Sequence, residues 1–444
     1  MTVQIATPPP MYYQVAIKVL TPLYRLLVQK KSKNLPTLSR ELDERFGVRY
    51  QSRPTGCRGV IWCHAVSLGE LNTAYPLLKK LIELGFGLWI SSTTQTGFAQ
   101  AQKLFADELA SGLVSHSFVP VDNQAVIERF LAYVLPVMVL FIETELWANT
   151  LYLSKKHGIP TVMVNARLSE KSYQGYHKFA KVSASMMANI SHIIAQDEAF
   201  AQKFAKLGAT ANQLSVADSL KWVSLTKPNQ TNQSLVEAFK PILANRTVWV
   251  MASTHDGEEG IALNAHAKLC QSRDDLLLIL VPRHPERFEA VYQSCQDSGL
   301  IVARRSLGQM IDESTQVYLA DTMGELLAWY QLCDVAVVGG SFVPKIGGHN
   351  PIEPASFGKP IIMGQYDENC HQLVEALSDI GALDSLPDTP DVWDSLSKTL
   401  AKRFDAVKSG TDKGGLAKDL VTAKQSALQT QLTKILAVLA KELA

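Results

Sequence analysis

From Gly59 onward the chain alternates short, nearly continuous apolar runs with longer stretches of helical periodicity. Val60-Ile61-Trp62-Cys63-His64 predicts a strand, followed by a helix through Leu77 and Leu81. Leu88–Ile90, Val137–Ile142, Thr161–Val164 and His192–Ala195 continue the series. Runs of this length and apolarity, separated by helices, are the pattern of parallel strands buried on both faces. A polar stretch from Ser224 to Gln233 interrupts it. The pattern then restarts with Val248–Ala252, Leu276–Val281, Val317–Leu319, Val335–Val338 and Pro360–Met363, and a final helix is predicted from about Asp412 to Leu443. The expected fold is therefore α/β, with two Rossmann-like, doubly wound domains facing a cleft.

The first forty residues follow a different rule. They hold no acid, while Lys18, Arg25, Lys30, Lys31, Lys33 and Arg40 are basic. On a helix, Gln14, Lys18, Thr21, Arg25 and Gln29 share one narrow arc, and Met11, Val15, Val19, Leu23 and Leu27 lie in a wide apolar surface. A thin cationic stripe beside a broad apolar face is the profile of a helix lying in a membrane interface against anionic lipid. Lys18, Pro22 and Arg25 interrupt the apolar stretch, which argues against a spanning helix. The expected division is 1–46 as this membrane-associated segment, 47–228 as a first Rossmann-like domain, and 229–444 as a second that includes the terminal helix.

Composition narrows the functional classes. In 444 residues, 43 Lys and Arg balance 42 Asp and Glu, so nothing global points to nucleic acid. The six cysteines are scattered without a CxxC pair, which disfavours a structural zinc site or a disulfide framework. No GxxxxGK[ST] or GxGxxG motif occurs, and no GxSxG elbow.

Candidate chemistry therefore sits in the loops that follow the predicted strands. Glu70 falls in the first turn of the helix after Val60–His64, where it could act as a base or simply favour the helix terminus. Glu143 and Glu145 follow Val137–Ile142 directly, and could stabilise charge or serve only as helix-start acids. His64 could be a site residue or a satisfied core histidine. In the second half, Pro282-Arg283-His284 follows a strand, and an arginine there can pair with phosphate. Gly339-Gly340-Ser341-Phe342 is expected to present backbone N–H groups to an anion. In Gly347-Gly348-His349-Asn350-Pro351-Ile352-Glu353, Asn350 is the expected N-cap, Pro351 the first helical residue and Gly358 the stop. Such a helix start suits phosphate, and Glu353 suits ribose hydroxyls.

Taken in order, His64–Glu70, Glu143–Trp147, Asn165–Ser169, Ala252–Glu259, Pro282–Phe288, Asp321–Leu326 and Gly339–Pro354 resemble the bacterial 3-deoxy-D-manno-octulosonic acid (Kdo) transferases. The resemblance implies a GT-B glycosyltransferase that moves Kdo, with inversion, from CMP-Kdo to a lipid A precursor (lipid IVA), without a cofactor, at the cytoplasmic face of the inner membrane. It implies Glu70 as general base, with Glu143, Glu145 and Lys221 at the charge-stabilising positions. It also implies CMP contacts at Pro282, Arg283, Met323, Gly324, Glu325, Asn350, Pro351, Ile352 and Glu353; Gly340 and Ser341 join them as part of the glycine loop. Two departures stand out: Ala148 replaces a usual proline, and Ala217-Asp218-Ser219-Leu220-Lys221 replaces a Gly-Asn-x-Lys ending. Another GT-B lipid glycosyltransferase, or an inactive membrane-bound scaffold of the same fold, is the competing expectation.

Overall fold

A computed structural model describes residues 6–223 and 229–443. Lys227-Pro228 and the expected boundary at 228 lie outside the described residues. The chain packs into two compact units, residues 1–223 with 426–444, and residues 224–425.

The first unit contains a parallel seven-stranded sheet of β1 (Val60–His64), β2 (Gly87–Ser92), β3 (Val114–Phe118), β4 (Pro136–Ile142), β5 (Thr161–Ala166), β6 (His192–Ala195) and β7 (Leu214–Val216), in the order β3-β2-β1-β4-β5-β6-β7. The second contains β8 (Thr247–Thr254), β9 (Leu276–Pro282), β10 (Val302–Arg304), β11 (Val317–Leu319), β12 (Val335–Val338), β13 (Ile361–Gly364) and β14 (Leu383–Leu386), in the order β10-β11-β9-β8-β12-β13-β14. The central strands β1, β9 and β12 are wholly buried, as their unbroken apolar sequences require. Strand order reverses between β1 and β4 in one sheet and between β8 and β12 in the other. In such sheets ligands bind beyond the carboxyl ends of the strands flanking that reversal.

The carboxyl-terminal chain departs from expectation. It forms two helices, Gly414–Lys424 and Ala427–Leu443, and the second belongs to the first unit, although the sequence pattern places it with the second domain. Leu432, Ile435 and Leu439 enter the same apolar cluster as Ile61, Cys63 and Leu77. Buried Gln431 accepts from Asn165 N (3.0 Å) and donates to Asp218 O (3.0 Å), so the return is specified by polar as well as apolar contacts.

The amino-terminal helix spans Met11–Lys31 and is held through few points. Tyr13 donates to Asp122 (2.8 Å), Val28 is buried, and the Arg25 guanidinium lies over Phe46. Met11, Tyr12, Val15, Val19, Leu20, Leu23, Leu26 and Leu27 remain exposed. Among the described residues, no helix is long and apolar enough to cross a membrane.

Candidate active site

In the first unit, the reversal between β1 and β4 gathers four acidic and imidazole side chains. The helix Leu68–Glu83 starts after β1 because Ser67 caps it, accepting from Glu70 N (3.4 Å). The Glu70 carboxylate in turn accepts from Val66 N (2.5 Å), so the chain on both sides of the cap is tied to this one side chain. Its pKa is pushed up to about 7, by burial first and then by the neighbouring charges of Glu143 and Glu145, against the bonds from Val66 and Ser67. A carboxyl poised there exchanges a proton readily near neutral pH.

Glu143 and Glu145 occupy different environments although only one residue separates them. Glu143 has left-handed backbone (φ 62°), which turns its side chain inward to 2% exposure. There it accepts from Arg167 Nε (2.5 Å) and Asn165 Nδ2 (3.4 Å). The Glu145 side chain keeps 33% exposure, and one of its oxygens lies 3.8 Å from Nε2 of buried His64. His64 Nδ1 meets Ser91 Oγ at 3.1 Å, and that hydroxyl also accepts from Trp62 Nε1 (2.8 Å). His64 is thus fixed in the core with its second nitrogen facing the acids. Of the two glutamates, Glu145 is the more exposed, with its Oε2 turned inward toward His64; Glu143 is enclosed.

Asn165 organises the remainder. Its left-handed backbone (φ 52°) is one that asparagine tolerates better than most residues. Its Oδ1 accepts from Leu220 N (2.8 Å), which anchors the 3-10 turn Leu220–Trp222 carrying Lys221. Neither Arg167 nor Asn165 stands out individually in the sequence, although their segment is one of the motifs. Their roles rest on partners that no local pattern reveals.

The second unit corrects one expectation outright. The N–H groups of Gly340 and Phe342 do not face an open anion cradle: both donate to Glu258 (2.8 and 3.0 Å), which also accepts from His255 N (2.8 Å) and is wholly buried. Ser341 is likewise committed, donating to Val338 O (2.6 Å) and accepting from Gly364 N (2.8 Å). A Cβ on Gly340 would lie 2.9 Å from Cδ2 of His349, so this glycine makes room for an imidazole. The protein's own carboxylate fills the place that the sequence pattern assigns to a ligand.

The helix start is also displaced. The helical run is Ile352–Ser356, with Pro351 before it; Pro354 sits in the first turn, where its missing N–H costs nothing, and the run ends where Gly358 (φ 72°) turns the chain away. Asn350 still accepts from Ile352 N (3.1 Å), and Glu353 lies in the first turn. Pro282 closes β9, and the exposed Arg283 follows with its N–H on Thr254 O (3.1 Å). Met323 is exposed and Gly324 is left-handed (φ 85°). Burial opposes ionisation of Glu325, but bonds from Arg305 and Thr322, with the Arg305 charge, hold its pKa below the usual range.

Around these groups stands a cluster that the sequence does not single out. His255, after β8, and His349, after β12, have nearly parallel rings (12°) that meet edge to edge with Nε2 atoms 2.9 Å apart, and His284, after β9, meets His255 edge-on. Burial, then His255, Arg283 and His284, push the His349 pKa down to about 4. Burial, then His284, Arg287 and Arg283, lower that of His255 against the opposing Glu259.

Two parallel, doubly wound units are the architecture of the GT-B fold. A solved glycosyltransferase from Rickettsia africae shares it, with a TM-score of 0.50 at 15% identity over 87% of this chain and 98% of that one. Sequence comparison is more specific. Residues 40–224 match the family described as 3-deoxy-D-manno-octulosonic-acid transferase (kdotransferase). The Haemophilus influenzae 3-deoxy-D-manno-octulosonic acid transferase is 32% identical across 95% of this chain and 96% of its own length. That of Bordetella pertussis is 31% identical across 88% and 91%. The chain belongs to the Kdo transferase family.

Proposed function

We propose that the chain transfers Kdo from CMP-Kdo to a hydroxyl of a lipid A precursor, lipid IVA, with inversion at the anomeric carbon. The observation that carries this reading is Glu70: a carboxyl at the β1/β4 reversal with a pKa of about 7, next to Glu143 and Glu145. It takes the proton of the acceptor hydroxyl as that oxygen bonds to the anomeric carbon and the bond from that carbon to the CMP phosphate breaks. Glu145 and Lys221 stabilise the charges that develop. On the second unit, Arg283, Met323–Glu325 and Asn350–Glu353 bind the nucleotide. The Met11–Lys31 helix, apolar and cationic, holds the enzyme on anionic lipid at the cytoplasmic face of the inner membrane, where this acceptor resides.

Labelled CMP-Kdo incubated with lipid IVA vesicles and the full chain tests the reading. Transfer to lipid is expected, with CMP and not UDP competing. Glu70→Gln should lower the rate at least about 10²-fold while CMP still binds, as loss of a general base does. Absence of transfer by folded protein, or competition by UDP, would overturn the assignment.

A further inference from the structure

The filling of the glycine loop by Glu258 leaves open where an anion sits in the second unit. With the Gly340 and Phe342 N–H groups engaged, the β8/β12 reversal still offers side-chain donors, among them His255, His284, His349 and Arg283. The two Nε2 atoms at 2.9 Å constrain the protonation of the pair. One imidazole must donate its Nε2–H and the other must accept with a bare Nε2. The accepting ring therefore carries its hydrogen on Nδ1, and the donating ring has a lone pair there. Both imidazoles are half-buried rather than enclosed, which gives the pair a route to exchange protons with solvent. A neutral pair thus offers an incoming oxyanion one donor and one repelling lone pair. One added proton converts the lone pair to N–H and leaves the Nε2–H···Nε2 bond intact. The pair then presents two donors and a positive charge beside Arg283.

We infer that the His255–His349 pair, with Arg283, is an oxyanion subsite of the second unit that takes up one proton from solvent when the anion binds. The inference builds on the donor reading above, with the donor's phosphate as the anion, but the subsite is defined by its own geometry. The groups facing the pair account for why the proton is absent without a ligand. Burial, Arg283, His284 and Arg287 all disfavour it; Arg287 is largely neutralised by Glu259 (2.8 and 3.0 Å) and faces exposed Asp256 (3.4 Å). Glu258 is spent on three backbone N–H groups, and Glu286 lies 3.8 Å from His284 on the exposed side. An arriving oxyanion brings the negative charge that offsets these terms.

Sulfate is the probe, because it keeps two charges across the neutral range and does not titrate itself. Sulfate affinity of the full chain is expected to rise as pH falls, by up to about tenfold per pH unit, the slope for uptake of one proton. His349→Asn and His255→Asn should each flatten the profile, because each removes one half of the shared-proton pair. His284→Asn should keep it, which separates the pair from the third imidazole. CMP at saturating concentration should displace sulfate. A flat profile in the wild type, or an unchanged slope in both pair variants, overturns the inference. If the slope behaves as expected but CMP neither binds nor displaces sulfate, the subsite stands and the donor reading fails.

Discussion

Below pH 7 the Glu70 carboxyl is mostly protonated and cannot accept a proton from a hydroxyl. The rate at limiting substrate should therefore fall about tenfold per pH unit below pH 7, and Glu145→Gln should move that limb to lower pH by removing one of the repelling charges. A pH–rate profile of both proteins checks this; an unmoved limb would separate Glu145 from the base. Stability follows the same shift. Because the folded-state pKa lies above the ordinary 4.5, the native state binds the proton more tightly, so this group's contribution is most favourable below 4.5 and is lost as pH rises to about 7. Glu70→Gln should accordingly be more stable than wild type at about pH 8, by about 1–3 kcal/mol in denaturant melts. Arg167 carries the opposite logic. Arg167→Ala strips the enclosed Glu143 of its ion pair and should cost about 1–3 kcal/mol, discounted because Arg167 itself is partly exposed. Adding Glu143→Gln should recover part of that loss in the same melts. The acids are legible in the sequence because each follows a strand, but sequence leaves Glu143 and Glu145 equivalent. A left-handed φ at Glu143 separates them, and that follows from how β4 and β5 end side by side.

Among the elements, strands buried on both faces are readable from their unbroken apolar runs, as for β4 and β9. Others are not. β3 reads Val-Ser-His-Ser-Phe, yet it is wholly buried; its serines are satisfied, Ser117 accepting from Trp89 Nε1 (2.9 Å) and Ser115 donating to Ser52 O, while the His116 ring packs against Phe98. β7, β10 and β14 escape the sequence pattern because they are sheet-edge strands, only partly buried, so their sequences are not unbroken apolar runs. The helix Ala427–Leu443 is legible, but its destination is not. Ile435→Ala should destabilise the first unit by about 2–5 kcal/mol, the usual cost of emptying a buried aliphatic site. Hydrogen exchange should speed up in β1 and β5 and leave β8 and β9 unchanged; loss of protection in the second sheet instead would contradict the assignment of this helix.

For the molecule as a whole, the amino-terminal helix is the feature with most to gain from a surface. Its exposed leucines and valines lie beside Lys18, Arg25 and Lys30. Lys18→Gln, Arg25→Gln and Lys30→Gln together should weaken binding to anionic vesicles by about 3 kcal/mol at low salt, about 1 kcal/mol per cation. Binding to neutral vesicles should change little, and cosedimentation reads both. The basic, apolar head, the two runs of parallel strands and the loops that carry the chemistry were determined by sequence alone, because each is a local pattern of apolar and charged positions. Tertiary structure alone decided which groups those loops leave free. Glu258 reaches Gly340 across 82 residues and closes the expected anion cradle, and Gln431 reaches Asn165 across 266 and sets the frame on which Glu143 and Lys221 sit. Hydrogen-bond donors are satisfied by whatever packing brings near, and that proximity is not encoded by neighbours in the chain.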